Sequence, residues 1–164
     1  MPLAHIKSSQ SVLRAGTQND MQYDCIAKAI LTDGDGNILL LKRSTSDVRR
    51  PNQWDFPGGH VDDGEQPAEA VIREIKEESG LEATMKRLVF AKTEVVIWEE
   101  DALHKHKTNA TWQYFICFTK DKNVVVSHEH SEYRWVSLSE ALEIVEYHRH
   151  LEVLRHVRDN QLEI

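Results

Sequence analysis

Residues 67–80, PAEAVIREIKEESG, most constrain the fold of this chain. Their apolar side chains are spaced as on one face of a helix, at Ala68, Val71, Ile72 and Ile75. Pro67 is tolerated in the first turn of such a helix, and Gly80 is a typical stop at its end. The sequence therefore predicts a helix between these two residues that packs on a sheet.

Three glutamates, Glu74, Glu77 and Glu78, crowd the last turns of this helix, where the helix dipole is negative. Glu74 and Glu78 are also a like-charge pair four residues apart, which costs about 0.2–0.5 kcal/mol. A solvated acidic face is the alternative interpretation, because most charge runs form one. A tight carboxylate cluster nevertheless suits a hard divalent cation, which would remove the repulsion. The pattern therefore favours a metal site.

A longer motif contains this cluster. From Gly59 the sequence reads GHVDDGEQPAEAVIREIKEESGL, and this segment resembles the Nudix box. Every fixed position of that signature is filled, by Gly59, Glu65, Arg73, Glu74, Ile75, Glu77, Glu78, Gly80 and Leu81. The segments WDFPGGHV, LLLKRS and EYRWVS are similar to the family as well, so the likeness extends from Tyr23 to the last predicted helix.

The resemblance implies an α/β protein, a Nudix-type α/β/α sandwich with a mixed β-sheet flanked by helices. It also implies an enzyme that hydrolyses a nucleoside diphosphate linked to another moiety and uses Mg²⁺, with Mn²⁺ as a substitute. By the same resemblance, Glu74, Glu77 and Glu78 would be catalytic metal ligands, and the Gly59 carbonyl would complete the coordination. Bound metal would polarise phosphoryl oxygens and activate water for in-line attack.

Glu65 and Arg73 are the pair that, by this resemblance, orients the loop and the helix behind the metal ligands. Outside the box, Glu129 lies where many relatives carry a further carboxylate, as a ligand to a second metal or as the general base. An exposed loop charge is the alternative for Glu129. Glu132 is a weaker candidate for the same role.

Substrate-binding candidates lie on the strands and loops around the box. Arg43 follows an apolar strand and is a candidate phosphate ligand, because a guanidinium matches phosphate oxygens as a fork. Trp54 is a candidate to stack on a nucleobase. A surface arginine and a core tryptophan are the respective alternatives. Trp98 and Trp112 are candidates for a base on the same grounds as Trp54. Arg49 and Arg50 could reach an anionic substrate, but their place in the loop favours a solvated tip.

Subfamily signatures for the substrate are mostly missing. No proline follows Pro67, whereas ADP-ribose hydrolases of the family carry one downstream. Residues 97–99 lack the tyrosine of diadenosine-polyphosphate hydrolases. The spacing of a coenzyme A signature is present upstream of the box, but Val48 and Asn52 stand where that signature has Arg and Gly. We therefore expect a pyrophosphohydrolase of a nucleoside triphosphate or modified nucleotide. The alternatives are a non-catalytic nucleotide sensor and a hydrolase of coenzyme A, a dinucleotide polyphosphate or a nucleotide sugar.

Length and charge narrow the class of protein. The 164 residues are enough for one domain, and we expect an N-terminal arm or edge strand over residues 1–20 and a single domain over residues 21–164, which by the resemblance is a Nudix hydrolase domain. The net charge of −7 argues against nucleic-acid and membrane partners. The resemblance implies a small nucleotide or nucleoside diphosphate derivative as the partner. Cys25 and Cys117 lie in apolar runs and are expected to be reduced thiols. We expect a cytoplasmic protein, with monomer and homodimer both open.

The remaining pattern predicts the element order β-β-loop-α-β-β-β-α. The DGDG segment predicts a hairpin and not a calcium loop, because Ile38 and Ser44 occupy places where an EF-hand needs Gly and Glu. A long ordered loop is expected over residues 45–66 and one helix over residues 139–158. The His-x-His pairs at 104/106, 128/130 and 148/150 are expected to be surface histidines, since no cysteines lie at zinc-ligand spacing.

Overall fold

The computed structural model describes residues 22–99 and 105–164, which form a mixed sheet with helices on both faces. The strands in this part of the chain are β1 (Gln22–Thr32), β2 (Asn37–Arg43), β3 (Trp54–Asp55), β4 (Gly58–His60), β5 (Thr84–Glu99), β6 (Lys105–Phe118) and β7 (His130–Ser137). The helices are α1 (Pro67–Ser79), α2 (Leu138–Ile144) and α3 (His148–Asp159). The predicted fold class is confirmed. The predicted arm, residues 1–20, lies outside the described residues.

Strand β1 is at the centre of the sheet and makes it mixed. It runs parallel to β6 and antiparallel to β2 and β4. The strand order is β3-β2-β1-β6-β5, with β4 also paired to β1 and β7 to β2. The β1–β2 turn is the predicted hairpin: the Asp33 carboxylate accepts hydrogen bonds from the backbone N–H groups of Asp35 and Asn37. The Asp33 carboxylate therefore stabilises the turn through bonds to the backbone.

The two faces of β1 bury different layers, because successive side chains of a strand point to opposite sides. Ala27, Ala29 and Leu31 pack against Val71 and Ile75 of α1. On the other face a second buried cluster joins β1 to α2 and α3, through Ile26, Ile30, Ala141, Val153 and Leu154. Within the described residues, α1 therefore covers one face of the sheet, and α2 and α3 cover the other.

Helix α1 has the predicted bounds. Gly80 adopts a left-handed conformation at φ 73° and donates its N–H to the Lys76 carbonyl at 3.0 Å. At the other end, the Gln66 N–H donates to the Glu69 carboxylate at 3.2 Å. These contacts satisfy backbone groups that a helix end leaves without partners.

The structure differs from the sequence expectation in two places. The loop over residues 45–66 contains the short strands β3 and β4, which pair with β2 and β1. The single helix predicted over residues 139–158 is wrong, because Val145 is extended (φ −78°, ψ 127°) and separates α2 from α3. Val145 is buried in the core, so its packing overrides a helical pattern that contains no Gly or Pro.

Candidate active site

One cleft of about 390 Å³ gathers most of the predicted site residues. Its acidic lining residues are Asp62, Glu74, Glu77, Glu78 and Glu129, and Gly59 lies among them. Its basic lining residues include Lys28, Arg43, Arg49 and Arg50. Trp112, Tyr147 and His150 also line it. The cleft therefore joins groups that attract cations to groups that attract phosphate.

Glu78 is the most buried of the box glutamates, with 6% of the residue exposed. The Gly58 N–H donates to its carboxylate at 2.8 Å, and His130 Nε2 lies 3.9 Å from the other oxygen. Burial raises the pKa of Glu78 to about 8, although Lys28 lowers it in part. A buried carboxylate with so little compensating charge is a site that a cation would stabilise.

Glu74 lies directly against the backbone of Gly59. A Cβ at position 59 would come 2.7 Å from Glu74 Oε1, so glycine lets the backbone approach the carboxylate. Burial raises the pKa of Glu74, and hydrogen bonding to Arg73 opposes that rise. Glu77 is more exposed and also bonds to Arg73, at 3.2 Å.

Arg73 bonds to several carboxylates in and beside the cleft. Its guanidinium donates to Glu65 at 2.9 and 3.0 Å, to Glu74 at 2.9 Å and to the His60 carbonyl at 3.3 Å. These bonds lower the pKa of Glu65 and raise that of Arg73. The Glu65–Arg73 pair therefore ties the loop before α1 to the helix, in the arrangement that the resemblance implies for it.

The glutamates fit a divalent cation by donor chemistry. Glu74, Glu77, Glu78 and the Gly59 carbonyl offer only oxygen atoms, the ligands that Mg²⁺ and Mn²⁺ prefer. Across residues 22–99 and 105–164, no three His, Cys, Asp or Glu side chains stand close enough to hold a metal ion as they are. Glu74 and Glu77 line the cleft and bond to Arg73, so a cation bound by them would compete with Arg73.

Glu129 comes to the cleft on a segment that is fastened to the end of α1. The backbone N–H groups of Val125 and Ser127 donate to the carbonyls of Ser79 and Glu78 at 2.9 and 3.0 Å. The Ser44 N–H donates to the Glu129 carbonyl at 2.9 Å. Glu129 is therefore exposed and yet held beside the box glutamates. Glu132 lies on β7, where it pairs with Lys42 and Arg134 and does not line the cleft.

Arg43 and Arg50 line the cleft, and both bind the buried Asp55. The Asp55 carboxylate accepts from Arg43 at 2.8 Å and from Arg50 at 2.6 Å, and Arg43 also pairs with Asp47. The guanidinium of Arg50 stacks on Tyr147 at 4.0 Å. Arg50 is therefore part of a fixed network, whereas the sequence favoured a solvated loop tip.

The tryptophans fall in different places. Trp54 is 8% exposed, belongs to the core and does not line the cleft. Lys42 and Arg134 lie against its ring, 5.6 and 4.9 Å from the centroid. Trp112 lines the cleft, with Arg149 4.0 Å from the centroid of its ring. The side chain of Trp98 is outside the described part of the structure.

Three network residues were missed by sequence reasoning: Lys28, Asp55 and His150. Lys28 is 5% exposed and donates to the Phe56 and Gly58 carbonyls at 3.1 and 2.6 Å. A lysine inside an apolar strand is the signal that was available, because lysine is almost never buried unless it is paired.

The expectation of surface histidines is wrong for two positions. His130 is 5% exposed and His150 is fully buried, and burial lowers the pKa of each to about 4. His128 and His148 are exposed, as expected. His104 lies outside the described residues, as does the side chain of His106.

The structure is an α/β fold with a mixed sheet between helices, in which glutamates at the end of α1 and arginines line one cleft. The family profile described as "NUDIX domain" matches residues 25–157. The chain belongs to the NUDIX family. The predicted family is confirmed, and so is the enzyme class, a Nudix-type hydrolase.

Curated relatives carry two kinds of name. Bis(5'-nucleosyl)-tetraphosphatase [asymmetrical] from Mus musculus is 35% identical over 98 residues, 58% of this chain and 63% of that protein. The Sus scrofa protein of the same name is 34% identical over 115 residues, 67% of this chain and 70% of that protein. Nucleoside triphosphatase NudI from Escherichia coli is 30% identical over 115 residues, 65% of this chain and 77% of that protein.

Solved structures support the same fold. The MutT protein from Methanosarcina mazei superposes with a TM-score of 0.68 at 27% identity, covering 87% of this chain and 98% of that one. A binary complex of the Caenorhabditis elegans Ap4A hydrolase gives a TM-score of 0.63 at 26% identity, covering 84% of this chain and 97% of that one.

Among the described residues, no helix is long and apolar enough to cross a membrane. The cytoplasmic location and the oligomeric state stay predictions.

Proposed function

We propose that the chain hydrolyses a phosphoric anhydride bond of a nucleoside polyphosphate with three or four phosphates, using Mg²⁺ or Mn²⁺. The observation that supports this is that the box glutamates line the same cleft as Lys28, Arg43, Arg49 and Arg50. The cations would balance the charge of a polyphosphate bound there, together with a metal ion held by the glutamates.

Metal binding is assigned to Glu74, Glu77, Glu78 and the Gly59 carbonyl. The ion, when bound, supplies positive charge that polarises phosphoryl oxygens and activates water. Glu65 and Arg73 hold α1 against the loop that carries Gly59.

The other residues of the cleft are assigned to the nucleophile and to the phosphates. Glu129 takes the proton of the attacking water, because its carboxylate is exposed to solvent and held at the cleft. Arg43 and Arg50 bind phosphate oxygens through their guanidinium groups. Attack of water on a nucleoside triphosphate at the α-phosphorus then breaks the bond to the β-phosphate and gives a nucleoside monophosphate and inorganic diphosphate.

A dinucleoside tetraphosphate is the second candidate substrate. The mouse and pig relatives carry that activity in their names, although the tyrosine expected for it is absent from residues 97–99. Its hydrolysis gives a nucleoside triphosphate and a nucleoside monophosphate. The two candidates therefore differ in products as well as in substrate.

The test is a panel of nucleoside triphosphates, dinucleoside tetraphosphates, nucleotide sugars and coenzyme A, assayed with Mg²⁺ and with Mn²⁺. Products are separated by ion-exchange chromatography. We expect turnover of a nucleoside polyphosphate that falls by orders of magnitude in Glu77→Gln and Glu78→Gln, while circular dichroism stays unchanged. A folded wild-type protein that binds these nucleotides without cleaving any of them would be a sensor, and the proposal would be wrong.

A further inference from the structure

Asp55 is a fully buried carboxylate at the end of β3 that accepts hydrogen bonds from three side chains and forms an ion pair with a fourth. One oxygen accepts from His150 Nε2 at 2.5 Å and lies 3.3 Å from Lys28 Nζ. The other accepts from Arg43 at 2.8 Å and from Arg50 at 2.6 Å. Asp55 itself does not line the cleft, but all four of its partners do.

A second layer of contacts fixes the direction of this carboxylate. His150 Nδ1 lies 2.9 Å from the Tyr114 hydroxyl, and both residues are fully buried. Neutral His150 donates from Nε2 to Asp55 and accepts at Nδ1 from Tyr114. Asp55 is therefore tied through His150 to α3 and through Tyr114 to β6.

The network fixes three cations that line the cleft. Lys28, Arg43 and Arg50 each form an ion pair with Asp55, and Arg43 forms a second one with Asp47. Arg43 Nε and Arg50 Nη1 are buried donors without a hydrogen-bond partner within the described residues. Lys28, Arg43 and Arg50 therefore each contact Asp55 and also line the cleft.

We propose that Asp55 is a positioning residue, which holds Lys28, Arg43 and Arg50 as a preorganised wall for the polyphosphate of the substrate. Without Asp55 the cations repel one another and each guanidinium loses its fixed orientation. Substrate binding then requires the wall to be ordered anew, which weakens affinity. The effects on KM and kcat that we expect from this inference rest on the proposed function, because they require that the chain hydrolyses a nucleoside polyphosphate.

The first variant is Asp55→Asn, which preserves shape and removes the charge. We expect KM for the nucleoside polyphosphate to rise about tenfold or more and kcat to change less than about threefold. Asp33→Asn is the matched control, because Asp33 is also a buried carboxylate paired with a lysine, Lys122, but lies in the β1–β2 turn away from the cleft. The control is expected to lose stability and to keep KM.

Binding of inorganic tripolyphosphate, measured by calorimetry, separates this inference from the proposed function. Affinity should fall about fivefold or more in Asp55→Asn and stay unchanged in Asp33→Asn, whether or not the wild type cleaves a nucleotide. A wild type that hydrolyses no nucleotide but shows this difference refutes the proposed function and supports the wall. A wild type that fails to bind tripolyphosphate overturns the wall.

Tyr114→Phe covers the case in which Asp55→Asn does not fold. It removes only the hydroxyl that bonds to His150, at a residue that does not line the cleft. We expect KM to rise about two- to fivefold in this variant, with kcat near the wild-type value. If the folded variants keep the wild-type KM and tripolyphosphate affinity, Asp55 has a structural role only and the inference is wrong.

Discussion

Replacing Gly59 by alanine tests whether the position of Glu74 controls activity. The added Cβ would lie 2.7 Å from Glu74 Oε1, whereas a carbon–oxygen contact needs about 3.3 Å, so the carboxylate must retreat by roughly 0.6 Å. Gly59 does not have a positive φ, and the group that moves is the end of a flexible side chain. The expected cost in stability is below about 1 kcal/mol.

The expected cost in activity is much larger. A misplacement of about 1 Å at a catalytic site can lower the rate by about 10²-fold, so we expect kcat of Gly59→Ala to fall by about 10- to 100-fold. Mn²⁺ affinity, measured by electron paramagnetic resonance, should fall with it. The melting temperature should drop by less than about 4 °C, because 1 kcal/mol corresponds to about 2–4 °C in a domain of this size.

Two neighbouring glycines provide the controls. Gly58 has φ 130°, and a Cβ there would lie 2.1 Å from the Ala27 carbonyl oxygen, so Gly58→Ala should cost about 3 kcal/mol of stability. Gly64 has φ 82° and open space around it, so Gly64→Ala should cost about 1–2 kcal/mol and keep its activity. Wild-type kcat and Mn²⁺ affinity in Gly59→Ala would refute the assignment of Glu74 and Gly59 to the metal site.

Three further predictions concern the carboxylates of the cleft. Burial raises the pKa of Glu78 from 4.5 to about 8. Without metal, the unfolding free energy of the wild type should therefore fall as the pH rises through this range, whereas that of Glu78→Gln should not. Thermal unfolding in the presence of a chelator measures this difference. Mg²⁺ at about 100 times its Kd should raise the unfolding free energy of the wild type by about 2.7 kcal/mol, and an equal gain in Glu78→Gln would contradict the ligand role. Glu129→Gln should lower kcat by about 10²- to 10⁴-fold with stability unchanged. Glu132→Gln is the control outside the cleft and should keep the wild-type kcat. Equal kcat values in the two variants would exclude Glu129 as the general base.

The box and its helix could be predicted from sequence because their determinants are local. The bounds of α1 follow from Pro67, Gly80 and the apolar spacing between them, and each acts within a few residues. The spacing of the glutamates on one helix also determines that their side chains share a face. No long-range contact is needed to infer any of these features.

The Asp55 network could not be predicted in the same way, because its residues are far apart in the chain. Lys28, Asp55 and His150 meet only once β1 and β3 are placed in the sheet and α3 is packed on it. The break between α2 and α3 has a similar origin, since Val145 leaves the helix to reach the core. The break also makes Tyr147 the residue before α3, where its ring stacks on Arg50.

The three glutamates at the unfavourable end of α1 are compensated by the protein as well as by any metal. Arg73 bonds to Glu74 and Glu77, and the Gly58 N–H bonds to Glu78. N–H groups of the segment before β7 also satisfy carbonyls of the last helical turn, which weakens the negative end of the dipole. These contacts come from groups of the protein itself, so we expect the chain to fold when metal is absent. A metal ion at the proposed site would compete with Arg73 for Glu74 and Glu77.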